Sequence, residues 1–96
     1  MFTHVVFFKF KDRSKENIKN AEKIMRCLEG RIPELKSMEV GIDVVHSDRS
    51  FDITLITRFD SKADMLIYAS HPIHVNEVLK RLKPILEVSH TVDFEG

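Results

Sequence analysis

An α+β domain running strand–helix–strand–strand–helix–strand is what this chain predicts, on three observations. Four stretches alternate their apolar residues with the period of two that a strand imposes. Two intervening stretches repeat them at three- and four-residue steps, as an amphipathic helix does. The length of 96 residues, 43% hydrophobic and 31% charged, suits one globular domain with a modest core.

The first strand runs from Phe2 to Phe10. Phe2, His4, Val6, Phe8 and Phe10 share one face; Thr3, Val5, Phe7 and Lys9 share the other. Both faces are largely apolar, which predicts a central strand covered on both sides. After the polar turn 11–13, Ser14 is a good helix N-cap and Glu16 favours the first turn. Ile18, Ala21, Ile24, Met25 and Leu28 then form one stripe. Gly30 is placed to cap the helix, and Pro33 prevents its continuation. The second strand is read over Met38 to His46, with Val40, Ile42, Val44 and His46 on one side and Glu39, Gly41, Asp43 and Val45 on the other. A polar connection at 47–50 leads to a third strand, Phe51 to Phe59. Its faces are Phe51, Ile53, Leu55, Thr57 and Phe59, against Asp52, Thr54, Ile56 and Arg58.

Ser61 and Asp64 resemble a capping box and start the second helix, which continues through Met65, Leu66 and Tyr68. Pro72 interrupts it and suits the first turn of a new helical segment. There Val75, Val78, Leu79 and Leu82 form the apolar face, with His74 in line with Val78 and Leu82. Pro84 ends the segment. The last strand spans Glu87 to Glu95, with Val88, His90, Val92 and Phe94 opposite Ser89, Thr91 and Asp93. This order is the ferredoxin-like arrangement, a four-stranded antiparallel sheet with both helices on one face.

Two helices cover only one sheet face. Phe8, Val40, Ile42, Ile53, Leu55 and Val92 are expected to meet them. Val5, Phe7, Val45 and Ile56 are left on the other, amid Thr3, Thr54, Asp43, Arg58 and Asp93. An apolar patch of that size marks an interface. The expectation is a homodimer that packs two sheets face to face as an α+β barrel.

Fifteen basic and fifteen acidic residues give a formal net charge of zero. Nucleic-acid and anionic-membrane partners, which need a basic excess, are not expected. No stretch has the apolar length of a membrane span. Val5 to Phe8 lacks the flanks of a signal peptide, because Lys9 and Lys11 cut it short. Cys27 is the single cysteine and forms no internal disulfide, which suits a reducing, cytoplasmic setting. Three glycines form no phosphate-cradling loop, and no serine nucleophile motif is present.

Chemistry concentrates in Tyr68-Ala69-Ser70-His71-Pro72-Ile73-His74, which holds a phenol and two imidazoles. A neutral His74 is matched to removing a proton next to a carbonyl. Tyr68 can donate a hydrogen bond to the resulting enolate oxygen. His4 can orient a substrate or His74, and Val6 and Phe8 share its strand face. The residues alone equally allow Tyr68 and His74 to bond the backbone beneath a bent helix. His71 and His74 are too few ligands for zinc, and His71 suits an N-cap, so no metal or cofactor is expected.

Several pieces together, Thr3-His4-Val5-Val6, Phe8-Lys9-Phe10-Lys11, Gly41-Ile42-Asp43, Phe59-Asp60-Ser61, Tyr68, His71-Pro72 with His74-Val75, and Val92-Asp93-Phe94, resemble the stress-responsive dimeric A/B-barrel (Dabb) family over nearly the whole chain. The resemblance implies a ferredoxin-like subunit that dimerises through its sheet. One member type, the plant polyketide cyclase olivetolic acid cyclase, uses a tyrosine and a histidine at the positions of Tyr68 and His74, with a strand histidine at His4. Met25 stands where that cyclase has a first-helix tyrosine, and no tryptophan is present. The implied substrate-binding set is His4, Val6, Phe8, Met25 and His71, with His74 and Tyr68 catalytic. The implied function is a stress-responsive barrel protein that binds a small apolar or carbonyl ligand between sheet and helices. A cofactor-independent cyclase-like enzyme and a monooxygenase of the same barrel type are the alternatives.

Overall fold

A computed structural model describes residues 1–96. The strands are β1 (Phe2–Phe10), β2 (Ser37–Ile42), β3 (Ile53–Phe59) and β4 (Leu86–Glu95). They form one antiparallel sheet in the order β2-β3-β1-β4. Helix α1 (Lys15–Arg26) follows β1, and α2 (Lys62–Ser70) follows β3. A π-helical stretch (Ile73–Leu79), one α-helical turn (Lys80–Leu82) and a 3₁₀ turn (Lys83–Ile85) complete the arm that leads into β4. The ferredoxin-like fold is therefore present, with the helices against one sheet face.

Local chemistry accounts for both helix starts. Ser14 Oγ accepts from Asn17 N–H at 3.2 Å, and Ser61 Oγ accepts from Asp64 N–H at 3.2 Å. Such bonds satisfy backbone donors that the first helical turn leaves free. Helix α1 buries Ile18, Ala21 and Met25 against the sheet, with Leu28 just beyond it. Its C-cap is Cys27; Gly30 adopts its positive φ of 72° in the turn that follows.

Four expectations are corrected. The second strand stops at Ile42, because Asp43 Oδ2 accepts from His46 N–H at 2.7 Å and His46 turns the chain with φ 58°. Val45, 73% exposed, therefore lies in a loop and not on the bare sheet face. The third strand starts at Ile53, and Asp52 before it is buried at 2% exposure. Its carboxylate accepts from Phe10 N–H and Arg13 Nε–H, each at 2.9 Å. Phe10 follows a register shift in the β1–β4 pairing, and the buried carboxylate bonds its N–H there.

The third correction concerns β4. Val5 pairs opposite Val92, and His4 opposite Asp93. Val92 and Phe94 thus point away from the helices, and Asp93 points towards them, the reverse of the expected assignment. The fourth lies after Pro72. The wider π turn shifts the helical phase, so Val78 and Leu82 are buried while Leu79 is 42% exposed and Val75 only partly covered.

Candidate active site

Between the sheet and the second helical arm lies a cavity of about 360 Å³. The central strand supplies His4, Val6 and Phe8, and β3 supplies Leu55. Tyr68, His74, Val78, Leu79, Leu82 and Lys83 come from the arm. Leu86, Ser89 and Thr91 come from β4. Apolar side chains dominate, and the polar groups are few and convergent, the usual make-up of a small-molecule site.

Tyr68 belongs to the last turns of α2 and is 1% exposed. Its ring lies 5.0 Å from Phe59 and 4.3 Å from His74, centroid to centroid. The His4 ring meets it edge-on at 6.5 Å. Burial pushes the phenol well above its usual range, because the phenolate loses water. The hydroxyl is therefore a hydrogen-bond donor at every ordinary pH. No buried side-chain polar atom in the chain is left as an orphan, and the Tyr68 side chain forms part of the cavity wall.

Pro72 lets His74 come close. Its ring ends α2 at Ser70, and the chain restarts as a π-helix three residues later, at Ile73. His71 bridges the break: its Nδ1 accepts from Ile73 N–H at 3.1 Å. Wide π turns recur at functional sites, where they re-aim a side chain. Here the turn brings His74 Nδ1 within 2.9 Å of the Ala69 carbonyl. A carbonyl oxygen only accepts, so Nδ1 carries the proton. The other ring nitrogen, Nε2, then keeps its lone pair in the neutral ring. Desolvation lowers the His74 pKa below 6.5; the Ala69 bond opposes this, and the charges of His4 and His71 add to the lowering. His74 is therefore a neutral base at pH 7.

His4 is held in the same manner. Its Nδ1 pairs with Asp93 Oδ1, and the carboxylate can only accept from it. Both imidazoles are thus tied through Nδ1, which leaves each Nε2 without that bond. Sequence reasoning missed Asp93, and of the lining it missed Leu55, Lys83, Leu86, Ser89 and Thr91 and the walls formed by Val78, Leu79 and Leu82. The alternation of β4 was visible, but which of its faces meets His4 depends on strand register.

Of the seven residues expected at the site, five line the cavity: His4, Val6, Phe8, Tyr68 and His74. Met25 does not, because it is fully buried in the core beneath α1. His71 does not either, being occupied as the cap of the following segment. A larger, shallower depression of about 550 Å³ lies across the bare side of the sheet, around Phe7, Phe51, Thr54 and His90. Asp43, Arg49 and His90 are its ionisable lining. No three His, Cys, Asp or Glu side chains converge in a way that could hold a metal ion. No helix is long and apolar enough to cross a membrane.

The family model for the stress-responsive A/B barrel domain matches residues 2–96. No curated protein matches the chain. Among solved structures, a dimeric ferredoxin-like protein of unknown function from Bacteroides fragilis is 29% identical; 99% of this chain covers 95% of that one, with a TM-score of 0.83. A protein of Arabidopsis thaliana is 26% identical, with 100% of this chain, 95% of that one and a TM-score of 0.84. A hydroxynitrile lyase from Passiflora edulis, 23% identical, is similar in fold, over 97% of this chain and 90% of that one, with a TM-score of 0.81.

Proposed function

The chain belongs to the stress-responsive A/B barrel domain family, and from that premise we propose that it acts as a homodimer whose subunits each bind a small carbonyl compound and move a proton beside its carbonyl. The dimer is supported by the bare sheet face. Val5, Phe7 and Ile56 lie there with Val92 and Phe94, which are 54% and 47% exposed in the lone subunit. The dimeric Bacteroides fragilis protein offers a precedent at 29% identity.

The cavity volume of about 360 Å³ suits a compact ligand. Its carbonyl oxygen accepts from the Tyr68 hydroxyl. His74 Nε2 takes a proton from the neighbouring carbon; that C–H bond breaks, its electron pair forms the new C=C bond, and the carbonyl π pair moves to the oxygen. The enolate is held by Tyr68 and collapses when His74 returns the proton. Asp93 keeps His4 oriented beside them. The observation that carries the reading is the His74 Nδ1 bond to Ala69, which leaves Nε2 as the basic atom next to the Tyr68 ring.

Deuterium exchange next to the carbonyl of methyl ketones, followed by NMR in D₂O, tests this. Wild-type protein is expected to accelerate exchange over buffer. His74→Gln is expected to lose about 10²–10⁴-fold, and Tyr68→Phe about 10²–10³-fold. Ligand line-broadening should persist in both variants. Exchange at the buffer rate in wild type, or equal rates in all three proteins, would overturn the proton-transfer role.

A further inference from the structure

Lys83 is a cavity-lining residue that the proton transfer does not use. Besides the two imidazoles and the Tyr68 phenol, it is the one ionisable side chain along that wall. It forms no ion pair within the chain, whereas Lys9 sits by Glu87 and Lys36 by Asp60. Asp93, the β4 carboxylate on the cavity side of the sheet, is engaged with His4. Lys83 opens the 3₁₀ turn, with Pro84 beside it. Leu82 before it is buried and Leu86 after it lines the cavity, and Lys83, itself exposed, stands at the rim between them. A long basic side chain in that position lays its methylenes on apolar surface and keeps its ammonium at the edge.

We infer that the ligand carries a carboxylate as well as a carbonyl, the carbonyl between Tyr68 and His74 and the carboxylate several carbons away at the Lys83 ammonium. This rests on the proton-transfer reading for the position of the carbonyl, not for the charge. His74 and Lys83 are nine positions apart along the helical arm, roughly two turns. The reach of the lysine stem shortens that span. The walls between are Val78, Leu79 and Leu82, which suit an alkyl chain and not a polar linker. An oxo-acid with a short aliphatic spacer matches this order of groups: acceptor oxygen, apolar chain, anion.

The test uses a graded series of methyl-ketone acids, from levulinate upward, each against its own methyl ester. Affinity is read by NMR line-broadening and exchange by deuterium incorporation relative to buffer. Wild type should favour the acid by about tenfold at an intermediate chain length, the gain of one charge-assisted contact. Lys83→Met should erase the preference, and Lys83→Glu should reverse it. Equal affinity for acid and ester in wild type, or a preference that survives in Lys83→Met, overturns the inference. If neither compound exchanges while the affinity difference and its loss in Lys83→Met remain, the proton-transfer role fails and the anion site stands.

Discussion

The two faces of the sheet use the same four strands for opposite purposes. On the covered face, β1 contributes His4, Val6 and Phe8, and helices close over them. On the bare face the alternate residues of β1, Val5 and Phe7, lie level with Ile56, Thr54, Val92 and His90 on its neighbours. The covered face is incompletely filled, and the space left over holds the convergent polar groups. The bare face is mainly apolar, with Thr54 and His90 beside a broad, open depression. In β4 the usual logic is inverted: its polar side faces inward and its apolar side outward. A strand that lines a site follows the needs of the site, not of the core.

The largest expected effect breaks the comparison on the bare side. Val92→Asp places a charge where a facing sheet would bury it. An unpaired buried charge costs at least about 3 kcal/mol, roughly two orders of magnitude in Kd, and a two-fold interface carries it twice. Sedimentation should show monomers, while circular dichroism stays native because Val92 is already 54% exposed in the subunit. A variant that keeps the wild-type dimer constant would place the interface elsewhere.

On the covered side, Leu28→Ala empties a fully buried position beyond α1. It should cost about 2–5 kcal/mol in urea unfolding, with exchange activity per folded molecule unchanged. A loss of activity without a loss of stability would mean that the core and the site are not separable.

The smallest effect is the dependence on pH, and it sharpens the difference within the covered face. His74 has a folded pKa below 6.5, so exchange should hold steady as pH falls through 6.5 and decline only lower. Stability behaves differently. The unfolded chain takes up the proton first, so stability is fully present above 6.5 and is lost as pH falls from 6.5 towards the folded pKa. His74→Gln should flatten that part of the stability profile. An activity limb at or above 6.5 would show that His74 is not desolvated.

How much of this was legible follows from how local each feature is. The caps at Ser14 and Ser61, the span of β1 and the break at Pro72 depend on neighbours within a few residues, and all were readable. The spacing of Tyr68 and His74 likewise marked one end of the cavity. Val44 and Val45 looked like strand because their alternation is correct, but Asp43 captures the His46 N–H and ends the pairing first. Asp52 looked like an outward strand residue, yet it is buried because two donors distant in sequence, from Phe10 and Arg13, need it. Asp93 was placed on the wrong side because only the register of β1 against β4 decides its direction. The barrel family and the layer order were visible; the phase of each strand relative to its partner was not.

The pairing of His4 with Asp93 joins positions 89 apart, and Thr3 Oγ1–H donates to the Gly96 carbonyl across 93. Contacts of that separation close the longest loops available to the chain and tend to form late. During synthesis, β1, both helical regions and the β2–β3 hairpin all emerge before the strand that orients His4. The geometry around His4 is therefore completed only when β4 docks against β1.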